Sequence, residues 1–508
     1  MPAADPDRPR PSRAAVVALA LGLTFLTAAR LPWNGEPIDN EALYLLAAWK
    51  WWRPEFLASD WTFAAPWREH ALFNALAGLL SLALPMGAFQ WVLRLLGWFA
   101  AYAGLAGLLR RLAVPWWGIP LGLLLWWSGR QAFVAGEWLV GGAEAKPFAY
   151  AALFASLSAF LDRRHRAGGL WLGLTFSLHP AVGVGAVAGT AMALLLDRMP
   201  WRSLAQAAVA ALATALPGLV ASAGVSSGAW GPEAWGLIVR ARLPHHLDPL
   251  AFPPGGSLKV ALFLLLLALV VQVGRPARAT RFVAGFIAGT AVLFAAGIVA
   301  RAAGAWTFLQ VYPFRLLPLL LPLLVPALLL GEVARRWSEK GPRQAPLVAL
   351  VLAVAVLAAG ILHPDPAPPA PTADRADVVA AAEWVADSAA PGAVVLASPG
   401  SKRAFWDFRR AQVVNWWALR YDRFGEWLAR INALAGPIEP SGPVERSLLD
   451  GRFEALPSDS VSALGRRYGA SFLVTRTSHP FPVRFRAGAV TVYALPAGDS
   501  LSPLPPSP

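Results

Sequence analysis

Along the first three-quarters of the chain, apolar runs of roughly 16–20 residues recur between short polar loops, the length a helix needs to cross a hydrocarbon core of about 30 Å. They predict crossings at Ala14–Ala29, Phe89–Leu109, Pro115–Trp127, Pro147–Leu161, Leu204–Ala221, Leu258–Val273, Phe282–Ala300, Pro313–Leu330 and Ala345–Leu362. Two pieces resist simple alternation. Ala71–Ala88, flanked by Pro66 and containing Pro85, adds one crossing too many before Arg110, while Gly168–Leu196 begins and ends beside Arg-rich loops. His179-Pro180 breaks the second piece, because proline lacks an N–H and disfavours a helical residue before it. Two short helices, Leu170–Leu178 and Ala181–Leu196, then dip in and return, and Ala71–Ala88 is a partial or strongly tilted helix. Non-helical backbone at membrane depth is tolerated where it lines a protein cavity. The pattern predicts a polytopic α-helical membrane domain over residues 14–363, with about 10–12 membrane helices, some broken or re-entrant, behind an N-terminal tail 1–13.

After His363 the pattern changes. A Pro-rich linker, 364–373, leads to an amphipathic helix at Asp374–Ser388. Strands follow at Ala393–Ala397, Ala411–Asn415, Ser471–Thr475, Val483–Phe485 and Val490–Ala494, with helices around Tyr421–Leu434 and Ser460–Tyr468. Strands and helices alternating at this spacing predict a small α/β domain, 374–496. The Pro/Ser-rich tail 497–508 reads as disordered.

Composition sharpens this picture. Of 508 residues, 56% are hydrophobic and 15% charged, and mean hydropathy is +0.49, against about 25% charged in a soluble domain. The absence of cysteine excludes disulfides, Cys-ligated metals and thiol nucleophiles. The 44 Lys and Arg outnumber the 30 Asp and Glu, giving +14. No recognisable nucleic-acid module accompanies them. Instead the arginines gather in Arg110-Arg111, Asp162–Arg166, Arg198–Arg202, Arg275–Arg281 and Arg335–Arg343, the short loops that the positive-inside rule assigns to the cytoplasm. The 24 Trp suit membrane interfaces. Ala14–Ala29 behind Arg8, Arg10 and Arg13 has the look of a signal peptide, but further spans follow, so it reads as a retained first span with a cytoplasmic N-terminus. The outer face then receives the first outer loop 31–70, Gly129–Lys146, the His179-Pro180 break, Ser222–Gly256, Arg301–Gln310 and the C-terminal domain. Ala-, Arg- and Pro-rich usage points to a high-GC bacterium, hence to a bacterial inner membrane with a periplasmic or extracellular outer face.

The polar residues that matter converge on that outer face. Asp39 and Glu41 follow the first span, and Asp60 lies in the same loop beyond the amphipathic segment Glu41–Arg53, which suits a helix lying flat in the interface. Carboxylates over a cavity can serve as general base for a hydroxyl acceptor, or as ligands for a divalent metal such as Mg or Mn. Glu144 and Lys146 open the span that begins at Pro147, and His179 sits within an apolar stretch. Ionisable residues bordering spans are costly and often functional. Arg240, Arg242, His245, His246 and Asp248 form the densest polar cluster, which reads as an anion site built on charge-assisted hydrogen bonds or as a solvated loop. Arg315, three residues after Tyr312, stands about one turn into an apolar run and needs a partner.

Together these residues resemble the GT-C superfamily of membrane glycosyltransferases, and in particular uncharacterised bacterial multi-span proteins similar to it. The resemblance rests on Asp39-Asn40-Glu41-x-x-Tyr44, the segment ending at Asp60-Trp61, Glu144-x-Lys146, Leu178-His179-Pro180, the Arg-x-Leu-Pro-His-His run and Tyr312-x-x-Arg315. It implies a polyprenyl-phosphate-linked sugar as donor and an envelope glycan or protein as acceptor. It implies an acidic residue of the first outer loop, Asp39 or Glu41, as base or metal ligand, with no metal site assigned beyond these two. By the same resemblance Arg240, Arg242, His245, His246 and Arg315 bind the donor phosphate, and Asp60, Glu144, Lys146, His179 and Tyr312 line the cavity. Where the superfamily often carries an Asp-Glu pair, this chain has Asn40-Glu41, with Asp39 one residue early. An inverting sugar transfer is the expected activity. A transporter or lipid translocator, and a non-catalytic scaffold acting through the C-terminal domain, are the competing readings.

Overall fold

The structure is a computed structural model, and it describes residues 12–30, 36–38, 40–65, 67–116, 118–128, 131–226, 231–272, 277–340, 373–439 and 442–496. The predicted crossing Ala345–Leu362, the linker up to residue 372, the tail 497–508 and Asp39 lie outside the described residues. The chain divides into two compact units: 1–36, 87–220 and 244–365 form the first, and 37–86, 221–243 and 366–508 the second.

In chain order the helices through the membrane-domain sequence are α1 (Arg13–Arg30), α2 (Glu41–Trp52), α3 (Ala71–Ser81), α4 (Met86–Arg111), α5 (Gly118–Ser128), α6 (Ala145–Leu161), α7 (His165–Leu178), α8 (Pro180–Leu196), α9 (Trp201–Ser226), α10 (Pro232–Leu237), α11 (Pro244–Leu247), α12 (Gly256–Gln272), α13 (Arg278–Ala302) and α14 (Leu316–Lys340). Among the described residues, five segments are long and apolar enough to cross a membrane: Arg13–Arg30, Met86–Arg111, Trp201–Ala223, Arg278–Ala302 and Leu316–Arg335. The helices α6, α8 and α12 are apolar but shorter, at 17 residues each. The expected partial helix at Ala71–Ala88 is the 11-residue α3, about 16 Å long, and it belongs to the second unit.

In the first unit, neighbouring helices lock where small residues admit a backbone. Gly169 and Gly173 of α7 lie against Ala207 and Ala211 of α9, so these two helices run parallel. Gly285 and Gly289 of α13 meet Ala193 and Ala188 of α8, which makes that pair antiparallel. Gly97 and Gly104 of α4 meet Pro147 and Ala151, so α4 and α6 run together. Polar groups inside the helices are answered locally. Thr24 and Thr27 donate to the carbonyls of Ala20 and Leu23 in α1. Ser177 donates to Thr214 O at 2.6 Å and accepts from Gly218 N at 3.1 Å, bracketing Pro217, whose ring removes a backbone donor from α9.

These directions sort the charges. At one end of the first unit, Arg111 pairs with Asp162 at 2.6 Å, Arg278 with Asp197 at 2.5 Å, and Arg335 with Glu332 at 2.7 Å. Arg278 also donates to Leu161 O, and Glu332 accepts from Ala277 N. Every loop that the sequence marks as Arg-rich within the described residues of this unit therefore falls at that end. The tips of α6, α7, α8 and α14 that carry Lys146, His179 and Arg315 fall at the opposite end.

In the second unit, α15 (Ala373–Ser388), α16 (Ala404–Phe408), α17 (Phe424–Ala435), α18 (Arg446–Glu454) and α19 (Ser458–Tyr468) accompany five strands: β1 (Val394–Leu396), β2 (Ala411–Gln412), β3 (Ala470–Thr475), β4 (Val483–Ala487) and β5 (Val490–Ala494). The sheet is mixed, in the order β2-β1-β3-β5-β4, with β1 parallel to β2 and β3, and β5 antiparallel to β3 and β4. Ala381, Ala382 and Val385 of α15 pack on Val395, Val474, Val490 and Val492. The predicted C-terminal domain is not alone in this unit: Leu46, Ala47, Leu57 and Phe63 of the first outer loop share a core with Phe405 and Ala418.

Candidate functional site

A loop missed as chemistry by sequence reading supplies the centre of the site. Gln131 organises residues 131–140: its Oε1 accepts from Leu139 N and Val140 N at 2.6 and 2.7 Å, and its Nε2 donates to Val140 O at 2.6 Å. Ala135 and Gly136 take left-handed backbone, at φ 64° and 57°, and turn Glu137 inward. The loop is hung on α14 through Phe133 N, which donates to the Pro318 carbonyl at 3.4 Å. Pro322, four residues on, leaves that carbonyl without its helical donor. Glu137 is thus delivered to a buried position inside an apolar bundle. The one signal for it in the sequence was an acid just after a glycine, within the apolar stretch 132–143.

Around Glu137 gather residues that the sequence did mark. Arg315 Nε lies 3.0 Å from Glu137 Oε2, and Arg315 Nη1 lies 3.0 Å from His179 Nε2. Lys146 Nζ lies 3.2 Å from Glu144 and 3.7 Å from Glu137, and sits 3.8 Å from the centre of the Trp138 ring. The Arg315 guanidinium also covers Tyr312, 4.6 Å from its ring centre. Side-chain exposure is 0% for both carboxylates, 5% for Lys146 and 11% for Arg315, so the charges are paired because they have little water to turn to. The Tyr150 hydroxyl is fully buried on α6 and has no hydrogen-bond partner among the described residues, and the charges of Glu137 and Arg315 act on it.

His246 joins this group through its Nδ1, bonded to Ala135 O. Its ring is held well below the usual imidazole range, first by desolvation and then by His245, Arg315 and Lys146. His245 is exposed and lies against His246, with ring centres 4.1 Å apart. Asp248 is buried and pairs with Arg301 at 2.9 Å.

The cluster is recessed. Gly97 of α4 lies at the level of Pro147, and α4 continues for ten further residues to Gly87, about 15 Å along its axis. Three helices, α6, α8 and α14, begin at the cluster with Glu144, His179 and Arg315 as the residues before their first turns. Helix N-termini carry unsatisfied N–H groups and the positive end of the helix dipole. Three of them add positive potential to a cluster in which two carboxylates balance two cations.

Other sequence candidates lie in the second unit. Glu41 is buried and its Oε2 accepts from Ile38 N at 2.8 Å. Asp60 is fully buried: Oδ1 accepts from Thr62 N and Phe63 N at 2.7 and 3.1 Å, and Oδ2 accepts from Gln412 N at 2.8 Å. Burial pushes its carboxyl up to about 6 against those three amides, which pull the other way. Asp60 therefore ties the segment around residue 60 to β2. Arg242 likewise donates to the carbonyls of Trp416 and Trp417, at 2.7 and 2.9 Å, and lies over the Trp417 ring. Arg240 ends up in the same unit, so the boundary between units falls inside the run that the sequence presents as one basic cluster. Half-buried Glu69, not marked by the sequence, has its carboxyl pushed up to about 7 by desolvation, while Trp67 Nε1 donates to it at 3.1 Å.

Asp39 and Glu41 were the two expected metal-ligand candidates. Asp39 is outside the described residues, Glu41 Oε2 already holds an amide, and no group of three or more His, Asp or Glu side chains is placed to hold a metal among the described residues. No family model matches the chain, and no curated protein matches it either.

Proposed function

We propose that the protein is a GT-C-like membrane glycosyltransferase of the bacterial inner membrane, which binds a polyprenyl-phosphate-linked sugar in the recessed cluster of the first unit. The observation that carries this reading is the pairing of Arg315 and Lys146 with Glu137 and Glu144, buried where three helices begin. Arg315 and Lys146 would take the donor phosphate, with the N-termini of α6, α8 and α14 behind them. Glu137, freed from Arg315 by the incoming phosphate, would accept the proton of the acceptor hydroxyl. The acceptor oxygen bonds to the anomeric carbon as the bond from that carbon to the phosphate oxygen breaks. The released polyprenyl phosphate keeps the electron pair, and its growing charge is what the fixed cations stabilise. A single displacement of this kind inverts the anomeric centre. The base is assigned to Glu137, because Glu41 is held by a backbone amide.

The sidedness follows from charge. Placing the Arg-rich end of the bundle in the cytoplasm puts the cluster, the first outer loop and an envelope acceptor on the outer face. A C-terminal domain on that face needs one more crossing after α14, which Ala345–Leu362 would supply. His179 is the tip of a hairpin between α7 and α8, where Gly183 lies against Phe176.

Lipid extraction and native mass spectrometry of the purified protein test the proposal, with wild type beside Arg315→Gln and Glu137→Gln. A polyprenyl phosphate or lipid-linked sugar should accompany the wild type, be lost from Arg315→Gln and remain unreacted on Glu137→Gln. Bulk phospholipid alone in all three would sink the donor assignment.

A further inference from the structure

A second site is built into the sheet of the second unit, at the carboxyl ends of β1 and β3. The strand order places β2 on one side of β1 and β3 on the other, so the chain leaves β1 in one direction and later returns past it. At such a reversal the loops diverge and leave a crevice, the usual ligand position in open α/β sheets. Here the crevice exists as a small open cleft lined by Ser398 and Ser401 after β1, Thr475 and Arg476 at the end of β3, and Arg446, Asp450 and Glu454 of α18.

The polar groups in the cleft are organised as two guanidiniums, each backed by its own carboxylate. Arg446 Nε lies 3.1 Å from Asp450 Oδ2, and Asp450 Oδ1 is held by Ser398 Oγ. Arg476 Nη1 lies 3.8 Å from Glu454 Oε1, while Glu454 Oε2 accepts from Thr475 Oγ1 and from the amides of Arg476 and Thr477 at 2.9 and 3.1 Å. The loop after β1 presses close to α18 because position 400 is glycine: a Cβ there would stand 2.6 Å from Asp450 Oδ1 and 3.1 Å from Arg446 O. Each carboxylate is thus already engaged by groups of its own unit. What remains to face a ligand is the outer edge of Arg446, whose side chain is 55% exposed and whose Nη atoms make no hydrogen bond among the described residues.

We propose that this cleft binds a hydroxylated carboxylate, such as a uronic acid unit of an envelope glycan. A guanidinium fixed by a carboxylate on one edge offers the other edge as a planar fork, which matches a carboxylate in two parallel hydrogen bonds. Two cations against two anions leave the cleft electrically balanced, so a monoanion suits it better than a phosphate dianion. Ser401 also lines the cleft, a residue type that can meet ligand hydroxyls. The cleft is separate from the sugar-transfer cluster of the other unit, and its envelope ligand rests on the outer-face placement proposed above.

The test is ligand-observed NMR on the full chain in nanodiscs, with D-glucuronate, D-glucose and inorganic phosphate as probes. Glucuronate should bind saturably and glucose should not. Arg446→Gln, a change at a largely exposed side chain, should weaken glucuronate at least tenfold. Asp450→Asn should weaken it less, by releasing the Arg446 fork. Equal binding of glucose, binding of phosphate in place of glucuronate, indifference to Arg446→Gln, or no binding of any probe would each overturn the assignment.

Discussion

Replacing Glu137 by glutamine keeps the shape of the recessed cluster and removes one charge, and the geometry fixes what that should do. Opposite unit charges at the 3.0 Å of Glu137 and Arg315 attract by about 5–6 kcal/mol at an effective dielectric constant of about 20. Lys146, at 3.7 Å, adds about 4–5 kcal/mol on the same scale. Desolvation offsets most of this in the intact pair, but stripping one partner leaves buried charge uncompensated, at a cost of about 3–5 kcal/mol. The cluster is asymmetric. Glu137 serves two cations, whereas Lys146 also has Glu144 at 3.2 Å. Glu137→Gln should therefore be the most destabilising single change, at about 3–5 kcal/mol. Arg315→Gln leaves Glu137 with Lys146 and should cost less, about 2–3 kcal/mol. The double variant should be more stable than Glu137→Gln alone, because it removes the guanidinium that has lost its carboxylate. Unfolding of the three variants and wild type in detergent micelles, followed by circular dichroism, completes the cycle. Losses that simply add, within about 0.5 kcal/mol, would refute the pairing.

Asp60 gives a pH signature of definite sign. Its folded value of about 6 lies above its ordinary 3.8, so the folded state binds more protons between the two, and this group's contribution is full at low pH and lost as pH rises through about 6. The difference is worth about 3 kcal/mol, and Asp60→Asn, though destabilised by losing the Gln412 amide, should show a flatter stability slope between pH 4 and pH 7; an unchanged slope counts against it. His246 acts oppositely: its lowered value means stability is present above the usual 6.5 and falls as the pH drops below it, so His246→Asn should reduce acid sensitivity in melts between pH 7 and pH 5. Gly173→Val should disrupt the α7–α9 contact, because even a Cβ would stand 2.0 Å from Ala211 O; a loss of about 1–3 kcal/mol or failed expression is expected, and a neutral outcome would contradict the packing. Arg242→Met should cost about 2–4 kcal/mol through two orphaned carbonyls and raise proteolysis of the second unit, which limited trypsin digestion reads directly.

The sequence disclosed the first unit's architecture to the extent that local rules govern it. Apolar length marked the long helices, and His179-Pro180 marked the α7–α8 tip, because a proline acts on its own neighbourhood. The Arg-rich loops announced one end of the bundle, and the directions of the helices bring them together there. In the second unit the alternating pattern located all five strands to within a few residues. Their order, and the recruitment of residues 37–86 and 221–243 into the same unit, depend on contacts between segments hundreds of residues apart, which no local period encodes.

Site residues divide along the same line. Lys146, His179 and Arg315 were legible because an ionisable side chain in an apolar run has to be answered by something. Which partner answers it was not legible, and here that partner is Glu137, placed by Gln131 and two left-handed residues in a loop that reads as a plain connection. Arg242 and Asp60 show the converse. Their charges looked available for a ligand, yet each is absorbed by backbone groups of a distant segment, Trp416 and Trp417 for one and Gln412 for the other. A charge next to an apolar stretch announces only that a partner exists. Whether that partner is a side-chain counter-charge, as in Glu137 with Arg315, or a backbone carbonyl or amide decides its chemistry. The first kind can be displaced by a substrate anion, whereas displacing the second would leave a buried backbone group unsatisfied. That difference is why the proposed chemistry is placed on Arg315 and Lys146, and why Arg242 and Asp60 are assigned to holding the second unit together.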